Sequence, residues 1–481
     1  MAGDEAAVSD TNSLKQLYLE FSGSTSMHGI GRALSNSSTW KRCVWSVMFL
    51  FGLGFAVYQF VITMQDFYTY PVNTVVTLKH ETTAIFPAVT ICNLNTNRKS
   101  MIDSDLLAAL ESLEETEEAP EEAILKGLLQ NDYTGVESGH QMSDMLIKCL
   151  FNRLPCSEAN FSLSNTVSYG TCYTFQIEDP LIQYVTRPGP KNGLILELNI
   201  EQYEYLPTTS SAGVNVMVHP LNEIPFPEDG GILAHPGAVT RVGIKQEITQ
   251  RLPSPYSNCI SANGQSSSQR SFFQNTKYMQ NACMKSCYQM RLYETCGCCD
   301  VDLPCNYYDI LSIDRTTTET NNSLPLCETF DDFLCKIEVE ILFLKSELDC
   351  DERCPPVCAS TTYHTVVSTA QWPPDSKIEI FLDTAKSTFL QNVSFTENNS
   401  SEKFIRSNLL RLEIFLDSLE FKEFTTQAKY DWNLLLGTIG GLLGLGLGFS
   451  LLTAMEIVEV LIETVLYCAH RKYQKKKNMQ I

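Results

Sequence analysis

The sequence predicts a membrane protein in which two transmembrane helices flank a large, disulfide-rich α+β domain outside the cell. Two uncharged stretches of 23 residues, 43–65 and 433–455, lie near opposite ends of the chain. Each would form a helix of about 35 Å, long enough to cross a hydrocarbon core of ~30 Å. Sixteen of the 18 cysteines lie between them, and disulfides persist only in oxidising compartments. We therefore expect the segment between the stretches to face outward and both termini to be cytosolic.

Flanking charge sets the predicted boundaries. Basic residues precede the first stretch and follow the second, as expected for cytosolic flanks. The chain then divides into a cytosolic N-terminus (1–39), a first span (40–65), an extracellular domain (66–432), a second span (433–467) and a basic cytosolic tail (468–481). Residues 1–39 hold no apolar stretch of the signal-peptide type, so the first span is expected to act as its own insertion signal. The alternative is a soluble protein with two buried core helices, which are rarely so long and free of charge.

Apolar periodicity predicts the elements of the outer domain. Alternation with a period of two predicts strands at 72–78, 173–177, 194–200, 214–218, 242–248, 378–382 and 410–416. Helical spacing predicts helices at 103–130, 274–292 and 331–348, and the polar stretch 316–323 is predicted to be a loop. The strands come from both ends of the domain and the helices mostly from its middle. This order predicts an α+β domain whose sheet is closed by distant parts of the chain.

The outer domain is expected to be acidic and glycosylated. The net charge is -21, and residues 103–122 carry nine carboxylates and no Lys or Arg. Such a run is often only a solvated helix or loop, but it also attracts cationic ligands and disfavours nucleic acid. Sequons predict glycosylation in exposed loops at Asn160, Asn321, Asn392 and Asn398 or Asn399.

The second uncharged stretch has the composition of a pore. It holds six glycines within 437–448, and Gly440, Gly444 and Gly448 recur at intervals of four, so that neighbouring backbones could approach closely. Simple helix packing is the alternative to a pore that exposes carbonyls to ions. Three carboxylates then follow at i, i+3 and i+7 on one helical face: Glu456, Glu459 and Glu463.

These carboxylates favour the pore interpretation, because at this depth such groups usually line an aqueous path. Several copies of the chain around one axis would turn each carboxylate into an acidic ring that favours cations. On an unbroken helix, Ser450 and Glu456 would point about 120° apart. Both can face a central axis only if the helix breaks or swings near Gly448.

The cysteines of the middle segment form two groups. Cys283, Cys287, Cys296 and Cys298 end a helical segment, and a second group follows at Cys327, Cys335, Cys350, Cys354 and Cys358. Zinc binding is possible for the first group, but no matching histidines lie nearby and an oxidising compartment favours disulfides. We expect no metal and no cofactor.

Several motifs occur in a specific order along the chain. They are His28-Gly29, the run FPAVTICN at 86–93, His235-Pro236-Gly237 with Thr240, the run LPSPY at 252–256 leading to Cys259, the cysteine cluster and the glycine-rich second span. In this order and spacing, from residue 28 to about 467, the chain resembles the degenerin/epithelial sodium channel superfamily. The resemblance implies a homotrimer or a heterotrimer with related subunits. It also implies the disulfides Cys92–Cys172, Cys149–Cys156, Cys259–Cys358, Cys283–Cys354, Cys287–Cys350, Cys296–Cys335 and Cys298–Cys327, with Cys299 and Cys305 left to pair with each other.

The resemblance also implies roles in the pore. Gly448-Phe449-Ser450 matches the Gly-x-Ser belt that selects ions, Gly437 matches a position where bulky substituents hold degenerin channels open, and Thr438 stands at the outer gate. His28-Gly29 matches a re-entrant segment that helps to line the inner pore. Phe449 departs from the usual small belt residue, which makes strict sodium selectivity less certain, and Gly446 replaces a usually bulky residue.

Taken together, these features predict an amiloride-sensitive, sodium-preferring channel of the plasma membrane, opened by an extracellular neuropeptide. Pro71 and Val72 stand where acid-sensing members carry a His pair, and Tyr70-Pro71-Val72 looks more like the invertebrate branch gated by RFamide peptides. A proton-gated, mechanically gated or constitutively open member of the family is the alternative. An ATP-gated trimer and a non-conducting receptor are disfavoured by the Gly-x-Ser belt and by the three glutamates. No nucleophile-base motif, P-loop or dinucleotide fingerprint indicates an enzyme.

Overall fold

The computed structural model of the chain describes residues 18, 20–35, 38–113, 136–166, 168–177, 183–261, 277–300, 302–303, 325–327, 329–381 and 398–478. Its helices are α1 (Ile30–Ser35), α2 (Thr39–Tyr68), α3 (Ser104–Leu113), α4 (Met142–Met145), α5 (Gln280–Cys296), α6 (Phe330–Leu344), α7 (Cys350–Arg353), α8 (Asn398–Asn408), α9 (Trp432–Leu447) and α10 (Leu451–Asn478). Its strands are β1 (Val72–His80), β2 (Ala84–Ile85), β3 (Ala88–Asn93), β4 (Leu146–Phe151), β5 (Leu154–Pro155), β6 (Phe161–Thr166), β7 (Gly170–Phe175), β8 (Tyr184–Val185), β9 (Leu194–Asn199), β10 (Val214–His219), β11 (Ile232–Ala234), β12 (Ala238–Gln250), β13 (Ala359–Gln371), β14 (Leu409–Leu416) and β15 (Glu420–Ala428).

The chain folds into two compact units. One comprises Met1–Asn73 and Gln427–Ile481, and the other comprises Thr74–Thr426. Among the described residues of the first unit, α2 is the single helix that is long and apolar enough by itself to cross a membrane. The helices Trp432–Leu447 and Leu451–His470 meet the same criterion only as a pair, and they bend by 75° at the break between them.

The second unit is built on two β-sheets. The larger has the order β1-β15-β12-β14-β9-β4-β5, with β13 also paired to β12, and the smaller has the order β11-β10-β3-β7-β6. Apolar residues of both sheets, such as Ile91, Phe175, Leu196 and Leu412, form one buried cluster. The outermost pair of the larger sheet joins β1, which follows α2, to β15, which precedes α9. The sheet is therefore closed by distant parts of the chain, as predicted.

A helical arm cross-linked by disulfides completes the second unit. Four disulfides join α5 and the residues just beyond its end to later segments: Cys283–Cys354, Cys287–Cys350, Cys296–Cys335 and Cys298–Cys327. Between the bridges, Leu292 of α5 and Val339 of α6 are fully buried together. Gly297 takes the left-handed conformation (φ 73°) and ends α5 four residues beyond the predicted end at 292.

The predicted strand at 378–382 is wrong, because residues 378–381 are helical. Ile378 and Phe381, three residues apart, both pack against Trp372, with the Trp372 and Phe381 rings 4.8 Å apart. Ile380 is instead 64% exposed. The buried residues of this short run are therefore spaced as in a helix, and not at every second position as in a strand. The predicted loop 316–323 and residues 114–130 of the predicted helix lie outside the described residues.

Candidate ion pore

The second apolar segment breaks at the predicted belt, and its own residues cause the break. Gly448 takes φ 66° and ends α9, with its N–H donating to the Gly444 carbonyl at 2.9 Å. The Phe449 N–H donates to the Leu443 carbonyl at 3.2 Å, which completes a Schellman-type stop. A new helix then starts at once. Ser450 precedes α10, its Oγ accepts from the Thr453 N–H at 3.3 Å, and its own N–H donates to Thr453 Oγ1 at 3.1 Å.

Glycine is required at 448 for a second reason. The His28 N–H donates to the Leu447 carbonyl at 2.9 Å, and a Cβ added to Gly448 would overlap the His28 ring. The N-terminal segment around His28 therefore packs against the break. Gly29, with φ 93°, turns the chain there, and an added Cβ would lie 3.8 Å from both Trp45 and Phe49.

Glu456 anchors the same N-terminal segment. Its Oε2 accepts hydrogen bonds from Thr25 Oγ1 at 2.9 Å and from the Ser26 N–H at 3.2 Å. The Ser26 hydroxyl also lies 2.6 Å from Thr453 Oγ1, and Thr453 is fully buried. Hydrogen bonds to a carboxylate are stronger than hydrogen bonds between neutral groups. The position of this N-terminal segment therefore depends on the Glu456 carboxylate. No pattern in the sequence predicts these contacts.

The three glutamates of α10 share one face, as predicted. All three border a groove of about 550 Å³, which is lined otherwise by Leu452, Met455, Val458 and Ile462. Glu456 is half-buried, whereas Glu459 and Glu463 are exposed. The groove thus combines an apolar floor with a row of carboxylates.

Close approach between α2 and α9 occurs at Gly446. A Cβ added to Gly52 of α2 would lie only 3.0 Å from the Gly446 carbonyl oxygen, and one added to Gly446 would lie 3.8 Å from Ala56 Cβ. This contact explains why a bulky residue is absent at 446. Cβ atoms added to Gly440 or Gly437 would meet no described residue within 4 Å.

A polar contact joins the C-terminal end of α2 to the residues that precede α9. Asp66 accepts from Lys429 Nζ at 2.7 Å and from the Tyr430 hydroxyl at 2.8 Å. The Lys429 N–H donates to the Pro71 carbonyl at 2.9 Å, and the Phe67 ring lies 6.4 Å from that of Tyr430. Thr438, the predicted outer-gate residue, uses its hydroxyl to bond the Leu434 carbonyl of its own helix.

The remaining predicted sites lie in the second unit. Seven disulfides join pairs of described residues, and they are the same seven pairs that the resemblance implies, including Cys92–Cys172, Cys149–Cys156 and Cys259–Cys358. Cys305, the expected partner of Cys299, lies outside the described residues, as do Asn321 and Asn392. Asn160 ends a short 3₁₀ helix, and Asn398 begins α8.

Comparison with known proteins identifies a class of ion channel. Residues 21–460 match the family model described as amiloride-sensitive sodium channel. The match covers most of the chain, so the chain belongs to this family, and the resemblance to the degenerin/epithelial sodium channel superfamily is confirmed.

Relatives of several kinds are similar to the chain. It is 30% identical to acid-sensing ion channel 1A of Danio rerio, over 95% of this chain and 90% of that one. It is 27% identical to the FMRFamide-activated amiloride-sensitive sodium channel of Cornu aspersum, over 94% and 84%. It is 25% identical to the epithelial sodium channel subunit alpha of Xenopus laevis, over 98% and 86%. Family membership therefore establishes a sodium channel without specifying the signal that opens it.

Proposed function

We propose that the chain is a subunit of a trimeric, sodium-preferring channel of the plasma membrane with two spans and cytosolic termini. The observation that carries the proposal is the 75° break between the two helices at Gly448-Phe449-Ser450. Non-helical backbone at membrane depth is tolerated only where it is buried in protein or lines a water-filled cavity. Ser450 is exposed in the single chain, so the break fits the narrow part of an aqueous path.

The row of glutamates supports an assembly around that path. Glu459 and Glu463 are exposed in the single chain, and carboxylates facing lipid at this depth are costly. Packing several copies around one axis turns this face inward and forms acidic rings that favour cations. Glu456 has a double role in this arrangement, because it also holds Thr25 and Ser26. The N-terminal segment then lines the inner entry.

We infer further that a cationic, amidated peptide opens the channel. The net charge of -21 attracts cationic ligands, and Pro71 and Val72 provide no titrating group after the first span. One histidine of the larger unit is also poorly suited to sense mild acid, because burial lowers the pKa of His219 to about 4.

Proton gating is the second candidate, and two carboxyls favour it. Burial, followed by the charge of Asp300, raises the pKa of Asp302 above its ordinary value. Burial also raises the pKa of Glu223. Both groups would then gain protons at a higher pH than ordinary carboxyls.

Expression of the chain alone in oocytes tests the proposal. We expect a sodium current that amiloride blocks, evoked at neutral pH by an RFamide-type peptide. The response should weaken at high salt, because the attraction is screened. It should also lose potency when the glutamates of 114–122, which lie outside the described residues, are neutralised. Robust activation by mild acid without any response to amidated peptides would instead establish proton gating.

A further inference from the structure

The second unit carries a groove that neither the pore nor the gating proposal uses. It has a volume of about 420 Å³, within the ~300–1,000 Å³ range of small-molecule sites. Its walls are mostly apolar and include Phe151, Leu154, Pro155, Phe161 and Ile177, and its polar lining residues include Asn160, Ser162 and Gln176.

One wall of the groove is a rigid hairpin. Strands β4 and β5 pair Phe151 with Leu154, and the two turn residues Asn152 and Arg153 both have positive φ, 49° and 68°. This is the turn geometry that matches the twist of a two-residue hairpin. The disulfide Cys149–Cys156 closes the base of the hairpin. The hairpin presents Leu154 with 53% of its surface exposed.

The opposite wall rests on an aromatic cluster. The Phe161 ring lies 5.3 Å from the Phe175 ring, which in turn lies 5.5 Å from the Phe151 ring. Phe151 and Phe175 are almost completely buried. Neither wall therefore needs to move to accept an occupant, which lowers the entropic cost of filling the groove.

Asn160 stands in the lining of this groove and belongs to the sequon Asn160-Phe161-Ser162. Its Oδ1 accepts from the Ser157 N–H at 3.1 Å, within a capping box that fixes the side chain. Among the described residues, its Nδ2 makes no hydrogen bond. Nδ2 is the atom to which an N-linked sugar is attached, so the side chain is held in place with its reactive atom available.

We propose that Asn160 carries an N-glycan whose first N-acetylglucosamine packs into this groove and stabilises the domain. The sugar ring and the acetamido methyl have apolar faces for Leu154 and Phe161, and the Gln176 amide can bond the acetamido group. Because the first sugar is linked to Asn160, which lines the groove, that sugar lies next to the groove without further ordering of the glycan. The inference rests on the extracellular placement of residues 66–432 in the proposed function.

Occupancy is tested first, on the full chain expressed in cultured animal cells. Peptide mass spectrometry after glycosidase treatment should find sugar at Asn160, absent in Ser162→Ala and retained in the matched control Ser162→Thr. An unoccupied Asn160 beside an occupied Asn392 overturns the inference but leaves the extracellular placement intact. Sugar at none of the sequons contradicts the placement and removes the inference with it.

Packing is tested by the melting temperature of the detergent-solubilised protein. Trimming each glycan to its first sugar should leave the melting temperature unchanged, whereas Ser162→Ala should lower it by about 2 °C or more. Asn392→Gln serves as a control for the loss of a glycan elsewhere. In addition, Leu154→Ser should lower the melting temperature more in the glycosylated chain than in the Ser162→Ala chain. Equal melting temperatures with and without the sugar at Asn160, or equal effects of Leu154→Ser in both chains, overturn the proposed packing.

Discussion

Replacing Thr25 by Val should make the channel harder to open, because it removes one of the two hydrogen bonds that hold the N-terminal segment on Glu456. Thr25 Oγ1 donates to Glu456 Oε2 at 2.9 Å, and the Ser26 N–H donates to the same oxygen at 3.2 Å. A hydrogen bond to a charged group contributes about 1.5–3 kcal/mol. Thr25 and Glu456 are only half-buried, so we expect the lower end of that range, or roughly tenfold in an equilibrium constant.

Single-channel recording at a saturating stimulus measures this effect. If conduction requires the N-terminal segment to be bound to Glu456, Thr25→Val should lower the open-to-closed ratio about tenfold, with unchanged surface expression. Thr25→Ser keeps the hydroxyl and should behave like the parent chain. Glu456→Gln weakens the same bond, so the double variant Thr25→Val/Glu456→Gln should lose less than the sum of the single effects. Additive effects, or normal opening in Thr25→Val, would refute this role of the segment.

Other contacts in the structure lead to three further predictions. Gly52→Val should disrupt packing and reduce current, since an added Cβ would lie 3.0 Å from the Gly446 oxygen, whereas Gly54→Val, with nothing within 4 Å, should be tolerated. Gly437→Cys treated with a large thiol reagent should give sustained current. An added Cβ there meets no described residue within 4 Å, so in the proposed trimer the reagent would wedge against a neighbouring subunit, and a closed channel after verified labelling counts against it. Burial lowers the pKa of His219 to about 4, against about 6.5 when unfolded. The folded state should therefore lose up to roughly 3 kcal/mol as the pH falls through that interval, and melting curves of His219→Gln across this range should show a shallower loss.

The strongly patterned parts of the fold could be predicted from the sequence. Strands in which apolar residues recur at every second position, such as β9 and β14, could be predicted from that period although both of their faces are largely buried. The helix break follows from glycines placed before Ser450. Strand β13 was not predicted because its residues are mostly exposed and polar. Its position depends on pairing with β12 along the whole length of that strand, and not on an apolar pattern. The run at 378–382 failed because five residues are too few to separate a helical period from a strand period.

The pore residues could be predicted only in part. Glu456, Glu459 and Glu463 could be predicted as pore residues because carboxylates are unusual so deep in an apolar segment. The hydrogen bonds from Thr25 and Ser26 to Glu456 join residues more than 400 positions apart. They could not be predicted, because small polar residues near a terminus show no local sequence pattern. The hydrogen bonds from Lys429 and Tyr430 to Asp66 also join residues far apart in the sequence, so no local pattern predicts them.

The sodium-to-potassium permeability ratio of the Ser450→Cys channel tests the central claim most directly. Ser450 caps α10 at the break, with its hydroxyl 3.1 Å from Thr453 Oγ1. If the break is the narrow part of the pore, exchanging this hydroxyl for the larger thiol should change the ratio obtained from reversal potentials with each cation outside in turn. An unchanged ratio in a channel that still conducts would place ion selection elsewhere and contradict the assignment of Gly448-Phe449-Ser450 as the filter.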